Sequence, residues 1–271
     1  MPAARQMDRE RKRIMKITLK DGSVKEYAQA MSVLDIARDI SEGLARAACA
    51  GEADGQVVDL RTVLDGDCSL NILTAKDEGG LSTLRHTASH VMAQAVKRLY
   101  PGAKLAIGPS IADGFYYDVD FEEPITAEDM AKIEAEMKKI IKENLPVERF
   151  TLPRAEAIEL MKEKEEPYKV ELIEDLPEDA IISFYRQGEF TDLCAGPHLM
   201  STKGVGKAFK LMNLAGAYWL SLIHIYILAR ARSGERSRQA GRRAAPPCAE
   251  YSIYYFQVDG KLFSKNFWRA V

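Results

Sequence analysis

The sequence predicts an α+β protein built from two unlike units in series. A hairpin pattern, one short amphipathic helix and several short strands crowd into the first part of the chain. A longer stretch then mixes helices of strong 3.6-residue periodicity with strand patterns that do not alternate strictly with them. After Trp219 the composition changes and the periodicity fades.

Residues 1–14 are expected to be a disordered, charged extension. Met15, Ile17 and Leu19 then alternate with polar residues, Asp21-Gly22 supplies a tight turn, and Val24–Tyr27 returns as the second strand of a hairpin. Ser32 can cap a helix whose apolar positions Val33, Leu34, Ile36, Ala37 and Ile40 lie on one side, ending at Gly43. Short strands are expected over 47–50, 56–59 and 69–73. One helix on a small mixed sheet is a β-grasp, or ubiquitin-like, arrangement, placed here at 15–76.

Lys76, Asp77, Glu78, Gly79 and Gly80 read as a linker. Ser82 caps an expected helix over 83–100, stopped by Pro101-Gly102. Its apolar stripe is Ala88, Val91, Met92, Ala95, Val96 and Leu99, and His86 and His90, four apart, share a face roughly opposite it. Strands follow at 104–107 and 115–121; in the second, Phe115, Tyr117 and Val119 face one way and Tyr116, Asp118 and Asp120 the other. Thr126 opens a long helix with Met130, Ile133, Met137, Ile140 and Ile141 in its buried stripe. Another helix is expected over 153–164, and strands at 168–173, 181–185, 190–194 and 208–212. This second unit, 77–219, is an α+β domain with the H-x3-H helix packed near a mixed sheet.

The net charge of −2 hides a split: residues 220–271 carry nine Lys/Arg against three Asp/Glu, so residues 1–219 carry 29 against 37. Bulk charge therefore announces no nucleic-acid partner for the main part. No apolar run reaches the roughly eighteen residues of a membrane span, and no secretory signal follows the Arg-rich start. Four scattered cysteines without a C-x-x-C pair read as reduced thiols of a cytoplasmic protein. The Arg/Ala/Gly/Pro run over 230–248 reads as an aberrant tail, followed by one isolated hairpin around Asp259-Gly260.

Two motifs carry chemistry. His86 and His90 are spaced to serve one ligand, although such a pair alone is more often a surface feature. Asp192, Cys194 and His198 lie within seven residues, with Gly196-Pro197 forcing a turn between thiol and imidazole; a buried structural Cys beside a capping Asp is the plain alternative. The four His and Cys donors suit tetrahedral zinc, or the imidazoles could manage a water attacking an ester. Lys169 could stabilise an oxyanion or bind phosphate, or be a solvated lysine on an edge strand.

In their order, ILTAKDEGG, RHTASHVMAQAVKRLYPGAKLAIGP, DGFYYDVD, EPYKVELI, FTDLCAGPH and FKLMNLAGAYW resemble the N-terminal region of bacterial threonyl-tRNA synthetases over about residues 15–219. The resemblance implies a TGS domain followed by the editing domain that removes serine from seryl-tRNA(Thr). One methyl group separates the two amino acids and gives a pocket only about 1–3 kcal/mol of discrimination, so a second sieve is needed. It implies a site of His86, His90, Lys169, Cys194 and His198, with Asp192, Tyr116 and Tyr117 binding substrate. In that reading His86 positions or deprotonates the water and Lys169 steadies the oxyanion or the ribose end. No metal is expected there, although relatives of the alanyl type hold zinc on an equivalent quartet. ATP, Mg, Zn and a homodimer contact belong to the family's aminoacylation core, which the sequence does not match; the expected partner is the acceptor end of tRNA(Thr), with no membrane. The rival readings are a free-standing alanyl-type hydrolase with zinc and a non-enzymatic ubiquitin-like binding module.

Overall fold

A computed structural model describes residues 14–207, 209–219, 222–231, 256–258 and 261–263, with backbone alone from residue 215 onward. The first unit comprises β1 (Met15–Leu19), β2 (Val24–Tyr27), β3 (Met31–Ser32), α1 (Val33–Ile40), α2 (Glu42–Ala47), β4 (Ala48–Ala53), β5 (Gln56–Val58), β6 (Val63–Leu64) and β7 (Cys68–Thr74). Its main sheet runs β2-β1-β7-β4-β5. Only the β1–β7 pairing is parallel, so the sheet is mixed as expected of a β-grasp. Ile17, Leu70 and Ile72 from the sheet meet Val33, Ile36 and Ala37 from α1 in one core. Ser32 caps α1 by accepting the Asp35 N–H at 3.1 Å. The chain does not leave the helical conformation for good at Gly43. Ser41 accepts the Leu44 N–H at 3.0 Å and starts α2.

The second unit comprises α3 (Glu78–Leu99), β8 (Lys104–Leu105), β9 (Ser110–Ile111), β10 (Gly114–Asp120), α4 (Ala127–Glu143), β11 (Val147–Thr151), α5 (Arg154–Glu163), α6 (Pro167–Glu174), β12 (Ser183–Gln187), β13 (Phe190–Leu193), a 3-10 turn at Thr202–Val205, β14 (Phe209–Trp219) and β15 (Leu222–Ala231). Antiparallel β11-β12-β13 form one sheet; β14-β15-β10-β8, with β9 beside β10, form another. Between the two units' cores runs α3, buried from Thr87 to Val96 without a break. Its Ala88, Val91, Met92, Ala95 and Val96 pack with Ile133, Met137 and Ile140 of α4 and Phe115, Tyr117 and Val119 of β10. Thr126 and Asp129 close a capping box at the start of α4. No helix among the described residues is long and apolar enough to cross a membrane.

Four sequence expectations are corrected. Lys76–Gly80 is no linker: α3 begins at Glu78, five residues before the expected start. Asp77 sits at its N-cap and accepts from the Thr74 N–H and hydroxyl. Gly79 and Gly80 suggested a break through their low helix propensity, yet they serve close packing. A Cβ on Gly80 would lie 2.0 Å from the Thr74 carbonyl oxygen. Gly80→Ala is therefore expected to lower stability by about 1–3 kcal/mol, read as a drop in thermal midpoint. Secondly, the Tyr168 segment is helix α6, not a strand; Pro167 opens it, and Tyr168, Lys169 and Ile173 face inward. Thirdly, β11 pairs along all of β12 where no strand was expected. Fourthly, the sheet continues past Trp219, since β15 lies between β10 and β14. The expected hairpin near Asp259-Gly260 exists as β16 (Phe256–Val258) on β17 (Lys261–Phe263). The N-terminal extension through Arg13 and the run 232–248 lie outside the described residues.

Candidate functional site

His86 and His90 project from α3 towards the loop that follows β13, which carries Cys194 and His198. Their four side chains each offer a donor atom, all within 4.8 Å of one another. Cys194 Sγ lies 3.3 Å from His86 Nε2 and 3.1 Å from His198 Nε2. The His198 ring sits 4.1 Å from both other imidazoles, centroid to centroid. The Gly196–Pro197 peptide between thiol and imidazole is cis. Gly196 has φ +81°, and a Cβ there would strike the Tyr185 hydroxyl. Thr87, between the two helical histidines, ties the loop to α3. Its hydroxyl accepts the Leu199 N–H at 2.9 Å and meets His198 Nδ1 at 3.3 Å.

Behind the imidazoles lies a buried ionic layer. Lys169 Nζ is 2.6 Å from Asp192 Oδ1, and both residues are at most 3% exposed. Tyr117 donates its hydroxyl proton to Asp192 and accepts from Lys169 at 3.1 Å. Asp192 Oδ2 is 3.4 Å from His90 Nε2. A proton on Nε2 faces that carboxylate, which leaves the unpartnered His90 Nδ1 as a lone pair. Tyr116, expected to bind substrate, is not brought to the cluster. The strand's alternation puts it on the opposite face of β10 from Tyr117.

The electrostatics follow from burial. Desolvation holds His86 at about 3, with His90 adding to the effect and Asp192 opposing it. Desolvation likewise holds His90 at about 4 against the pull of Asp192. His198 lies well below the usual imidazole value, through burial and then its neighbours His90 and His86. Burial pushes the Cys194 thiol up to about 12, helped by Asp192. Burial also pushes the Asp192 carboxyl upward, but Lys169 and its other partners outweigh it and the net shift is down. At neutral pH the cluster therefore holds three neutral imidazoles, a protonated thiol and one carboxylate balanced by an ammonium. Unfolding frees the histidines to titrate near 6.5, so below that value the unfolded chain binds more protons than the folded one. Stability conferred by these rings is intact above about pH 6.5 and is lost progressively as pH falls from there towards the folded-state values, about 4 for His90 and about 3 for His86. Urea midpoints at pH 7.5 and 5.0 are expected to show this loss, and His90→Asn to flatten it.

The surroundings restrict access. His90 and His198 are buried, while His86 and Cys194 keep a partly exposed edge. Phe190 places its ring edge-on 6.0 Å from His90. Phe190 also lines a cavity of about 280 Å³ with Gln94, Lys97, Arg98 and Glu189 among others, but with none of the four donors. The sequence signalled six of the residues gathered here, His86, His90, Lys169, Asp192, Cys194 and His198, and also Tyr117. It gave no signal for Thr87, Tyr185 or Asp59, whose roles are set by partners remote in the chain.

Residues 15–74 match the family described as TGS domain. Residues 182–243 match the Threonyl and Alanyl tRNA synthetase second additional domain, a match that takes in Asp192, Cys194 and His198. Over 206 residues the chain is 64% identical to a threonine–tRNA ligase of Acetivibrio thermocellus, 61% to one of Clostridioides difficile and 62% to one of Clostridium botulinum. Each match covers 76% of this chain and 32% of the relative, so the chain spans about a third of the length of these proteins. A β-grasp unit joined to a domain that gathers His86, His90, Cys194 and His198 is thus the N-terminal TGS and second-additional-domain region of the threonyl-tRNA synthetase family.

Proposed function

We propose that this region hydrolyses the ester of seryl-tRNA(Thr), binding the acceptor end of tRNA(Thr). The observation that carries the reading is the gathering of three neutral imidazoles and a thiol beside a buried Lys169–Asp192 pair. His86 has the partly exposed edge that a water can reach, and its neutral ring can take the proton as that water attacks the ester carbonyl. His90 and His198 hold the rings and the amino acid in place. The protonated Cys194 thiol donates to an imidazole and is not the nucleophile. Lys169 is committed to Asp192 and Tyr117, so its part is to keep Asp192 ionised rather than to travel to the substrate. The Phe190 ring edge-on to His90, and the burial of His90 and His198, suit a sieve that admits serine and rejects the extra methyl of threonine.

Non-hydrolysable amide analogues of seryl- and threonyl-adenosine test this reading. The serine analogue is expected to shift the ring ¹⁵N signals of His86 and His90 and to bind at least about tenfold more tightly than the threonine analogue. Equal binding, or none, contradicts it.

A second reading is favoured by the donor set. His86, His90, Cys194 and His198 fit zinc in kind and in number. Bound zinc would supply Lewis acidity, but four protein ligands close its coordination shell and leave no position for a water. Dialysis against a chelator is therefore expected to leave seryl-tRNA(Thr) hydrolysis within twofold of its starting rate. A loss restored by zinc alone supports the second reading.

A further inference from the structure

Two residues of the N-terminal unit reach the His/Cys cluster. Asp59 follows β5 and is 7% exposed. Its Oδ2 accepts the backbone N–H of His198 at 3.1 Å and the Tyr185 hydroxyl at 3.0 Å. Its Oδ1 accepts from the Arg61 backbone N–H at 2.8 Å and from Arg61 Nη1 at 2.7 Å. Arg61 then reaches past it: Nη1 donates to the His198 carbonyl at 3.2 Å, and Nη2 to the carbonyls of Leu199, at 3.0 Å, and Val147. Both backbone groups of His198 are thus held by the N-terminal unit.

The same pair fixes what lies under the ring. Tyr185, anchored by Asp59, places its ring 4.4 Å from that of His198 and its hydroxyl against Gly196. A guanidinium can serve three carbonyls and a carboxylate at once because its planar fork presents five donors, whereas an ammonium cannot reproduce that geometry. Contacts that merely glued two units together would have no reason to converge on the main chain of one cluster residue and on the floor beneath it. We propose that Asp59 and Arg61 are positioning residues for the site, setting where His198, and through it Cys194, stands. The TGS unit would then be a structural half of the site and not only an appended module. This inference rests on the hydrolytic reading of the cluster.

The test uses the full 271-residue chain and the variants Asp59→Asn, Asp59→Ala and Arg61→Lys. Lys25→Ala, which removes an ion pair to Asp39 on the same unit, is the control. Serine release from seryl-tRNA(Thr) is followed together with the ring ¹⁵N signals of the histidines. Arg61→Lys and Asp59→Ala are expected to lower kcat at least about tenfold with KM within twofold, since a misplaced group costs rate rather than capture. Both are expected to move the His198 ring signals. Asp59→Asn, which keeps one of the two acceptor oxygens and turns an N–H₂ towards the donors of the other, is expected to fall between Asp59→Ala and the parent, and Lys25→Ala to match the parent. A raised KM at unchanged kcat overturns the proposal, as do unmoved His198 signals in folded Arg61→Lys. Should the parent chain release no serine, the hydrolytic reading fails while the ring signals still decide whether Asp59 and Arg61 position His198. Should Asp59→Ala not fold, Arg61→Lys decides it.

Discussion

Replacing Lys169 by methionine is expected to cost about 3–5 kcal/mol of folding stability, enough to bring a marginally stable domain close to its midpoint at room temperature. The reason is the asymmetry of buried ion pairs. Intact, the pair gains its Coulomb energy against the desolvation of both ions; broken, it leaves one ion in a medium that cannot solvate it. Asp192 is 2% exposed and, among the described residues, would keep the Tyr117 hydroxyl and His90 Nε2. Lys169→Met, Asp192→Asn removes both charges and is expected to regain well over half of the loss. Urea denaturation of the two single variants and the double closes the cycle. A loss under about 1 kcal/mol for Lys169→Met contradicts the buried pair, because that is the scale of a solvent-exposed one.

Replacing His86 by alanine is expected to lower seryl-tRNA(Thr) hydrolysis by about 10²-fold or more while leaving the fold intact, the scale on which a positioned proton acceptor works. His86 keeps a solvent edge, and its polar contacts are Cys194 Sγ at 3.3 Å and the Pro197 backbone, so less packing is lost than at the buried His90 or His198. His90→Ala opens a hole beside the Lys169–Asp192 pair and is expected to reduce both rate and stability. Circular dichroism and single-turnover release separate the two outcomes. A His86→Ala rate within threefold of the parent assigns the proton transfer to another group, with His90 Nδ1, unpartnered and carrying a lone pair, the next candidate.

What could be read from the sequence divides along physical lines. The hairpin over β1 and β2, the Ser32 cap and the Thr126 start of α4 were legible because turn and cap chemistry is local. The cluster was legible because its donors come as two short motifs on one helix and one loop. The sequence puts Lys169 in a strand because Tyr168, Val170 and Leu172 alternate with polar residues. In α6 the inward set is Tyr168, Lys169 and Ile173, a helical spacing that eight residues barely display. The start of α3 was hidden because glycine reads locally as a breaker, whereas Gly80 answers to the Thr74 backbone. Asp59 and Arg61 are beyond reach: their partners in the second unit lie 86–139 residues away, and all but the Tyr185 hydroxyl are main-chain groups, which leave no mark in a sequence.

Release of serine from seryl-tRNA(Thr) by the full chain, with chelator present and threonyl-tRNA(Thr) alongside, tests the central claim most directly. Loss of serine but not threonine, at a rate flat from pH 8 to about 5, is the expected result, because the imidazoles stay neutral down to about 4 and below. No release at saturating tRNA from a chain shown to be folded, or equal release of both amino acids, contradicts it.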